Sequence, residues 1–253
     1  MALAGFAWTL ALVANYSETG KIRLRGDFPG RAAVRASAPT RGSIIADFTV
    51  FLQQNPALVF GVGGASLLGA TASSFLYDLL GRVIARNLGK DTSPQTPLLS
   101  QLITRRGGEI EALVARVEPA VRQTHGVIGN GVAQMEILGG FNIINTYDED
   151  TREYVRQSIN DPVVRDGLFS VSAFNVNSGH GSVFDRELGR VIPISMSKEV
   201  LIRSGSVFTW GLDQYANKKK VNIEMKFTRV LAMDDTPKRY IVLSAAKLAA
   251  RIG

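Results

Sequence analysis

Hydrophobic and polar positions divide the chain into stretches of different texture. Met1–Tyr16 is apolar almost throughout, in a pattern that fits a helix or a strand, and the first charged residue after it is Glu18. No basic residue precedes Lys21, so the run lacks the positive start of a secretory leader and is expected to be an element of the first domain. Arg31–Ala38 and Ile44–Leu52 carry β-branched and aromatic residues on either side of a Pro39–Ser43 turn, which predicts a β-hairpin. From Asp47 to Asp78 no charge intervenes. Asn55-Pro56 is a helix start signal, Ala57–Tyr77 is apolar or small at every position, and Asn87 with Gly89 supplies a stop.

These features predict one long apolar helix, with residues 56–80 as a candidate membrane span of about 20 residues. Gly61, Ala65, Gly69 and Ser73 recur every fourth position, the small-residue stripe that lets helices approach closely in lipid. Arg82 and Arg86 follow at the end, where they suit a headgroup layer. Glycine, serine and threonine dilute the apolar character, as they would in a helix facing water or a neighbour in a pore. A glycine-rich helix buried in a water-soluble domain has the same pattern, and both environments stay open at this point.

Further on, Ser93–Arg106 and Glu109–His125 read as two helices interrupted by Gly107-Gly108. The second has an apolar face of Ile110, Leu113, Val114, Val117 and Val121, and Pro119 is expected to kink or shorten it. Short strands at Met135–Leu138 and Asn142–Tyr147 follow, then a capping box of Asp150 and Glu153 that opens a helix over Thr151–Ile159. Asn160-Asp161-Pro162 marks a boundary. Beyond Leu168 the pattern changes to short strands at Phe169–Asn177, Ser182–Glu187, Arg190–Met196, Asn222–Met233 and Lys238–Ala245, with a helix over Val207–Ala216. Five strands need closure to hide their edges, so a small barrel is expected. The fold class is α+β: a helix and hairpin region with the long apolar helix, a helical middle, and a C-terminal five-stranded β-barrel. The domains are 1–160 and 168–247.

Composition adds the class of partner. A net charge of +7 and a pI near 9.8 suit nucleic acid, nucleotides or an anionic membrane surface. Without cysteine there is no disulfide, thiolate metal site or cysteine nucleophile. His125 and His180 are the only histidines, and neither has a metal-ligand partner at helical spacing. His180 has Ser178, Ser182 and Asp185 as neighbours in sequence, a set more typical of turn hydrogen bonds than of a catalytic triad. Leu58–Gly69 offers Gly61 and Gly63 of a dinucleotide fingerprint, but Ser66 stands in its third position and no βαβ unit follows. The chain is therefore expected not to be an enzyme and to need no cofactor or metal.

Cations interleaved with aromatic residues are the signature of single-strand binders, phosphates meeting the former and bases stacking on the latter. Lys218, Lys219 and Lys220 follow Trp210 and Tyr215; Lys238 and Arg239 precede Tyr240. His180, Arg186 and Arg190 belong to the first strands, near Phe174, Asn175 and Asn177, and Arg105-Arg106 could clamp a phosphate.

Ser170–Leu188 (SVSAFNVNSGHGSVFDREL) and Phe208–Ala216 (FTWGLDQYA) resemble an uncharacterised bacterial family with an N-terminal α/β region and a C-terminal five-stranded barrel. The small-residue helix joined to a basic module also resembles the membrane effectors of Hailong-type anti-phage defence. That resemblance implies a homo-oligomeric ion channel in the inner membrane, in contact with lipids and facing the cytoplasm. It further implies gating by short single-stranded DNA, or another oligonucleotide, made by a partner nucleotidyltransferase. It transfers no binding residue. The rival expectation is a cytoplasmic nucleic-acid-binding or assembly protein without a membrane segment.

Overall fold

The computed structural model describes residues 2–22, 33–36, 48–51, 56–61, 72–139, 141–217, 219, 221–232 and 235–248. They form two compact units, Met1–Arg105 with Leu113–Arg156, and Arg106–Ala112 with Gln157–Gly253.

In the first unit the apolar opening is a helix, α1 (Ala2–Thr19), with buried hydroxyls that bond back one turn: Thr9 Oγ1 to the Gly5 carbonyl at 3.1 Å and Ser17 Oγ to that of Val13 at 3.0 Å. Strands β1 (Ala33–Ala36) and β2 (Phe48–Phe51) pair antiparallel, so the hairpin is present, while its Pro39–Ser43 turn lies outside the described residues. The Asn-Pro signal does start a helix, but α2 covers only Pro56–Val59. Phe60 and Gly61 turn, Gly61 has a φ of +63°, and helix α3 runs from Ala72 to Asn87.

The expected long helix over 56–80 is therefore corrected. A left-handed residue ends a right-handed helix, and an N-cap signal specifies only where one begins. Ala65 and Gly69 lie outside the described residues, and Ser73 is exposed in the first turn of α3. Among the described residues no helix is long and apolar enough to cross a membrane. Arg82 pairs with Asp91 at 3.4 Å and donates to the Thr92 carbonyl.

Helix α4 (Pro97–Thr124) starts at Thr96, whose Oγ1 accepts from the Leu99 amide at 3.3 Å. Asp78 braces that cap, its Oδ2 accepting from the amides of Gln95 and Thr96 and from Thr96 Oγ1 at 2.9, 2.6 and 2.7 Å. Helix α4 consists of the two expected helices joined end to end across a kink at Arg106 (φ −135°, ψ 31°), directly before Gly107-Gly108, and the second continues past Pro119. Its expected apolar face is buried from Ile110 to Val121. Strands β3 (Met135–Gly139) and β4 (Asn142–Tyr147) form a second antiparallel pair. The capping box lies earlier than expected: Asp148 Oδ1 accepts from the Thr151 amide at 2.9 Å and Thr151 Oγ1 from the Asp148 amide at 2.8 Å. Helix α5 accordingly spans Glu149–Arg156 and stops short of Ile159.

The second unit is a closed barrel of β5 (Ile159–Phe174), β6 (Gly181–Asp185), β7 (Arg190–Met196), β8 (Ile223–Leu231) and β9 (Pro237–Lys247), in the order β5-β6-β7-β9-β8. Only β7 and β9 run parallel. Strand β5 is long because it pairs with β8 up to Phe169 and then with β6 from Ser170 to Phe174. Register shifts at Asp161–Arg165 and Val171–Ala173 interrupt the ladder, and bulges of this kind bend a strand. Pro162 falls in the first, where its missing amide costs no ladder bond. Asp161 Oδ2 bridges there to Arg229 Nη2 and Nε at 2.8 and 3.0 Å and to Arg165 Nη2 at 3.3 Å.

Helix α6 (Lys198–Ala216) starts at Lys198 rather than Val207, capped by Ser197. It buries Val200, Ser204, Phe208 and Gly211 on one face, and Phe208 stacks on Phe174 at 5.1 Å. Two glycines explain their own presence. A Cβ on Gly211 would lie 2.7 Å from Val171 Cγ2, and one on Gly108 would lie 2.2 Å from the Phe174 carbonyl carbon, within this same unit. Gly107-Gly108, directly after the kink at Arg106, is thus also a close approach to the backbone of β5.

Candidate functional site

Side chains alternate across the barrel wall. Ile192, Ile194 and Met196 of β7, Val183 of β6, and Tyr240 and Val242 of β9 point into the core. The residues between them, Phe184, Val191, Pro193, Ser195, Arg239 and Ile241, are half-buried on the outer face of β6-β7-β9. Tyr240 is in register with Ile194, which brings Arg239 alongside Pro193.

The loop Asn175–His180 leads from β5 into β6. Asn175 Oδ1 accepts from the amides of Asn177 and Ser178 at 2.9 and 3.1 Å, and the Asn175 amide donates to the His180 carbonyl at 2.8 Å. Gly179 adopts φ +68° against Met196, where a side chain would collide. His180 Nδ1 donates to the Ser178 carbonyl at 3.1 Å, so its other nitrogen carries the lone pair. Burial, and then the nearby positive charge of Arg239, push the His180 pKa down, keeping the ring neutral near pH 7. The charge of Arg239 thus reaches His180, although the strands β6 to β8 separate them in sequence.

Other expected residues are placed differently. Arg190 Nη2 donates to the Pro237 carbonyl at 2.9 Å, and Lys238 Nζ to Ser158 Oγ at 3.1 Å, so both tie strands together. Asp185 accepts the Tyr240 hydroxyl at 2.6 Å and the amides of Glu187 and Leu188 at 2.9 and 3.0 Å. Those three bonds occupy the carboxylate that a triad with His180 and Ser178 would need. Arg186 and Lys219 are exposed in turns, while Lys218 and Lys220 lie outside the described residues. Arg105 is exposed in the first unit; Arg106 belongs to the second and lies 3.6 Å from Glu109. Phe174 is core, and Trp210 carries Lys247 Nζ over its ring at 5.3 Å. His125 is buried in the first unit, stacked on Tyr147 at 4.0 Å and donating to the Val121 carbonyl. Among the described residues no three His, Asp or Glu side chains group as metal ligands do.

A second feature was not foreseen. An open groove of about 550 Å³ runs between the 175–180 loop and the N-terminal half of α6. Val176, Met196, Leu201 and Ile202 supply apolar wall, and Asn177, Ser178, Lys198, Ser206 and Thr209 the polar groups. Its only sequence signal was Gly205, a glycine inside a helix.

The strand order, the helix between third and fourth strands and the parallel closing pair are those of an OB-type Greek-key barrel. Residues 163–246, all within this unit, match a family of unknown function (DUF7947). No curated protein and no solved structure matches the chain.

Proposed function

We propose that the barrel binds a single-stranded oligonucleotide across the outer face of β6-β7-β9. The observation that carries this reading is the outer face itself, where register sets Arg239 alongside Pro193, Phe184 is half-buried, and His180 lies within reach of the Arg239 charge. A guanidinium offers paired donors to a phosphate, a neutral imidazole offers a base edge or a stacking surface, and a half-buried aromatic ring stacks a base. OB-type barrels bind oligonucleotides on the second and third strands and the loops flanking them, here β6, β7 and the 175–180 loop. The excess positive charge of the chain suits a polyanion. Of the effector reading, this oligonucleotide-binding half has support in the described residues. The candidate membrane span runs through residues 62–71, which lie outside the described residues.

The test is fluorescence anisotropy of the full chain with a labelled single strand of about 12 nucleotides, within the site sizes of such barrels, over a salt series. Affinity should fall with salt, and Arg239→Ala should weaken binding and lower the log–log salt slope by about 0.7, the share of one phosphate. Unchanged affinity and slope in Arg239→Ala would remove the face from consideration.

A further inference from the structure

We infer that the groove beside the 175–180 loop holds the terminal nucleotide of the bound strand, its base between Val176 and Ile202. This rests on the oligonucleotide reading and adds a subsite to it. Ser178 joins the two places: its side chain lines the groove, and its carbonyl accepts from His180, which the Arg239 charge reaches.

Several features of the groove fit a base. Its volume is that of a small-ligand site and not of an extended track. Ile202 is 77% exposed and Val176 57% exposed, so two aliphatic side chains flank the concavity with much of their surface still in water. Covering them with a flat apolar face is favourable. The polar groups have the right variety. Asn177 uses only its backbone amide within the loop, so its side-chain amide can pair donor and acceptor with a base edge. Thr209 Oγ1 donates to the Gly205 carbonyl at 3.1 Å and keeps its lone pairs for an incoming N–H. Lys198, exposed at the first turn of α6, suits a terminal phosphate.

Gly205 supports the assignment. Inside a helix, glycine costs about 1 kcal/mol relative to alanine. Packing does not require it, since a Cβ there would approach only the flexible end of Leu201, at 3.2 Å. Its lack of a side chain leaves the groove open. Charge selects between occupants: no acidic residue lines the groove and Lys198 does, which favours a nucleic-acid end over a neutral or basic peptide.

The experiment uses the full chain, labelled single strands of one sequence, and copies abasic at the 5′ or the 3′ terminal nucleotide. Ile202→Ser, at an exposed position that leaves the core intact and adds no charge, should weaken the intact strand about tenfold, in the range of one stacked base. It should leave unchanged the affinity for the strand abasic at the end the groove holds, because the two losses are the same contact. Arg239→Ala should weaken all three strands alike. If Ile202→Ser weakens none of them, or all three equally, while Arg239→Ala still weakens them, the groove assignment is wrong and the face stands. If the wild-type chain binds no strand, both are wrong.

Discussion

Replacing Gly211 by alanine sets two effects of known size against each other. Any helix interior gains about 1 kcal/mol from this change through propensity. At Gly211, however, the new methyl would lie 2.7 Å from Val171 Cγ2 and 3.0 Å from Ile223 Cγ2, both belonging to short branched side chains in the barrel core. Forcing a methyl into a packed core costs typically 1–3 kcal/mol, so the net effect runs from near zero to about 2 kcal/mol of destabilisation. Gly205→Ala, in the same helix, has the same propensity gain and meets only the end of Leu201, so it should stabilise by up to about 1 kcal/mol. The difference between the two variants cancels propensity and isolates the contact, and should be about 1–3 kcal/mol. The chain has two tryptophans, so urea unfolding in a Trp8→Phe background lets Trp210 on α6 report the barrel. Equal shifts of the midpoint in the same direction would show that α6 does not close on β5 and β8 at Gly211, and the account of the capped barrel would fail.

Two further outcomes follow from buried polar groups. Burial lowers the pKa of His125 and of His180 below the ordinary 6.5, so the folded chain resists protons that the unfolded chain accepts. Stability should hold above pH 6.5 and fall as the pH drops from there toward the folded-state values, with a slope of at most about 1.4 kcal/mol per pH unit for His125, then level off. Urea midpoints between pH 8 and 5 check this, and a His125→Gln variant with an undiminished pH dependence would refute the part assigned to His125. Tyr240→Phe keeps the ring but removes the 2.6 Å bond to the buried Asp185 carboxylate, which should cost about 1.5–3 kcal/mol. A change below about 0.5 kcal/mol, the scale of ordinary surface substitutions, would mean that the carboxylate finds another donor.

Much of the architecture is local and was therefore legible in the chain. Four barrel strands, the end of β5, the β3-β4 pair and the apolar face from Ile110 to Val121 declare themselves by periodicity, because alternation or helical spacing of apolar residues is what one-sided burial requires; the start of β5 at Ile159 does not, since Asn160-Asp161-Pro162 reads as a boundary. Glycines were legible only in part, since their meaning depends on what lies opposite. Gly107-Gly108 follows the expected interruption, a kink at Arg106, but its contact with β5 had no mark in the chain, and Gly61 ends a helix that composition alone would continue. The capping box went to Asp148 and Thr151 over Asp150 and Glu153, a choice between two chemically adequate pairs.

The candidate site lay further from view. Sequence determined that cations and aromatic residues occur along the barrel strands, and that the chain carries an excess of positive charge. Only closure in the order β5-β6-β7-β9-β8 decided which of them act as ties, as Arg190 and Lys238 do, and which come within electrostatic reach of each other, as His180 and Arg239 do. The groove needed the loop after β5 and the first turns of α6 to come together, so Val176 and Ile202 had no mark in the linear pattern. The physical reason is that period-two and period-3.6 patterns record which side of an element is buried, whereas a binding site depends on the register that sets one outer face beside another.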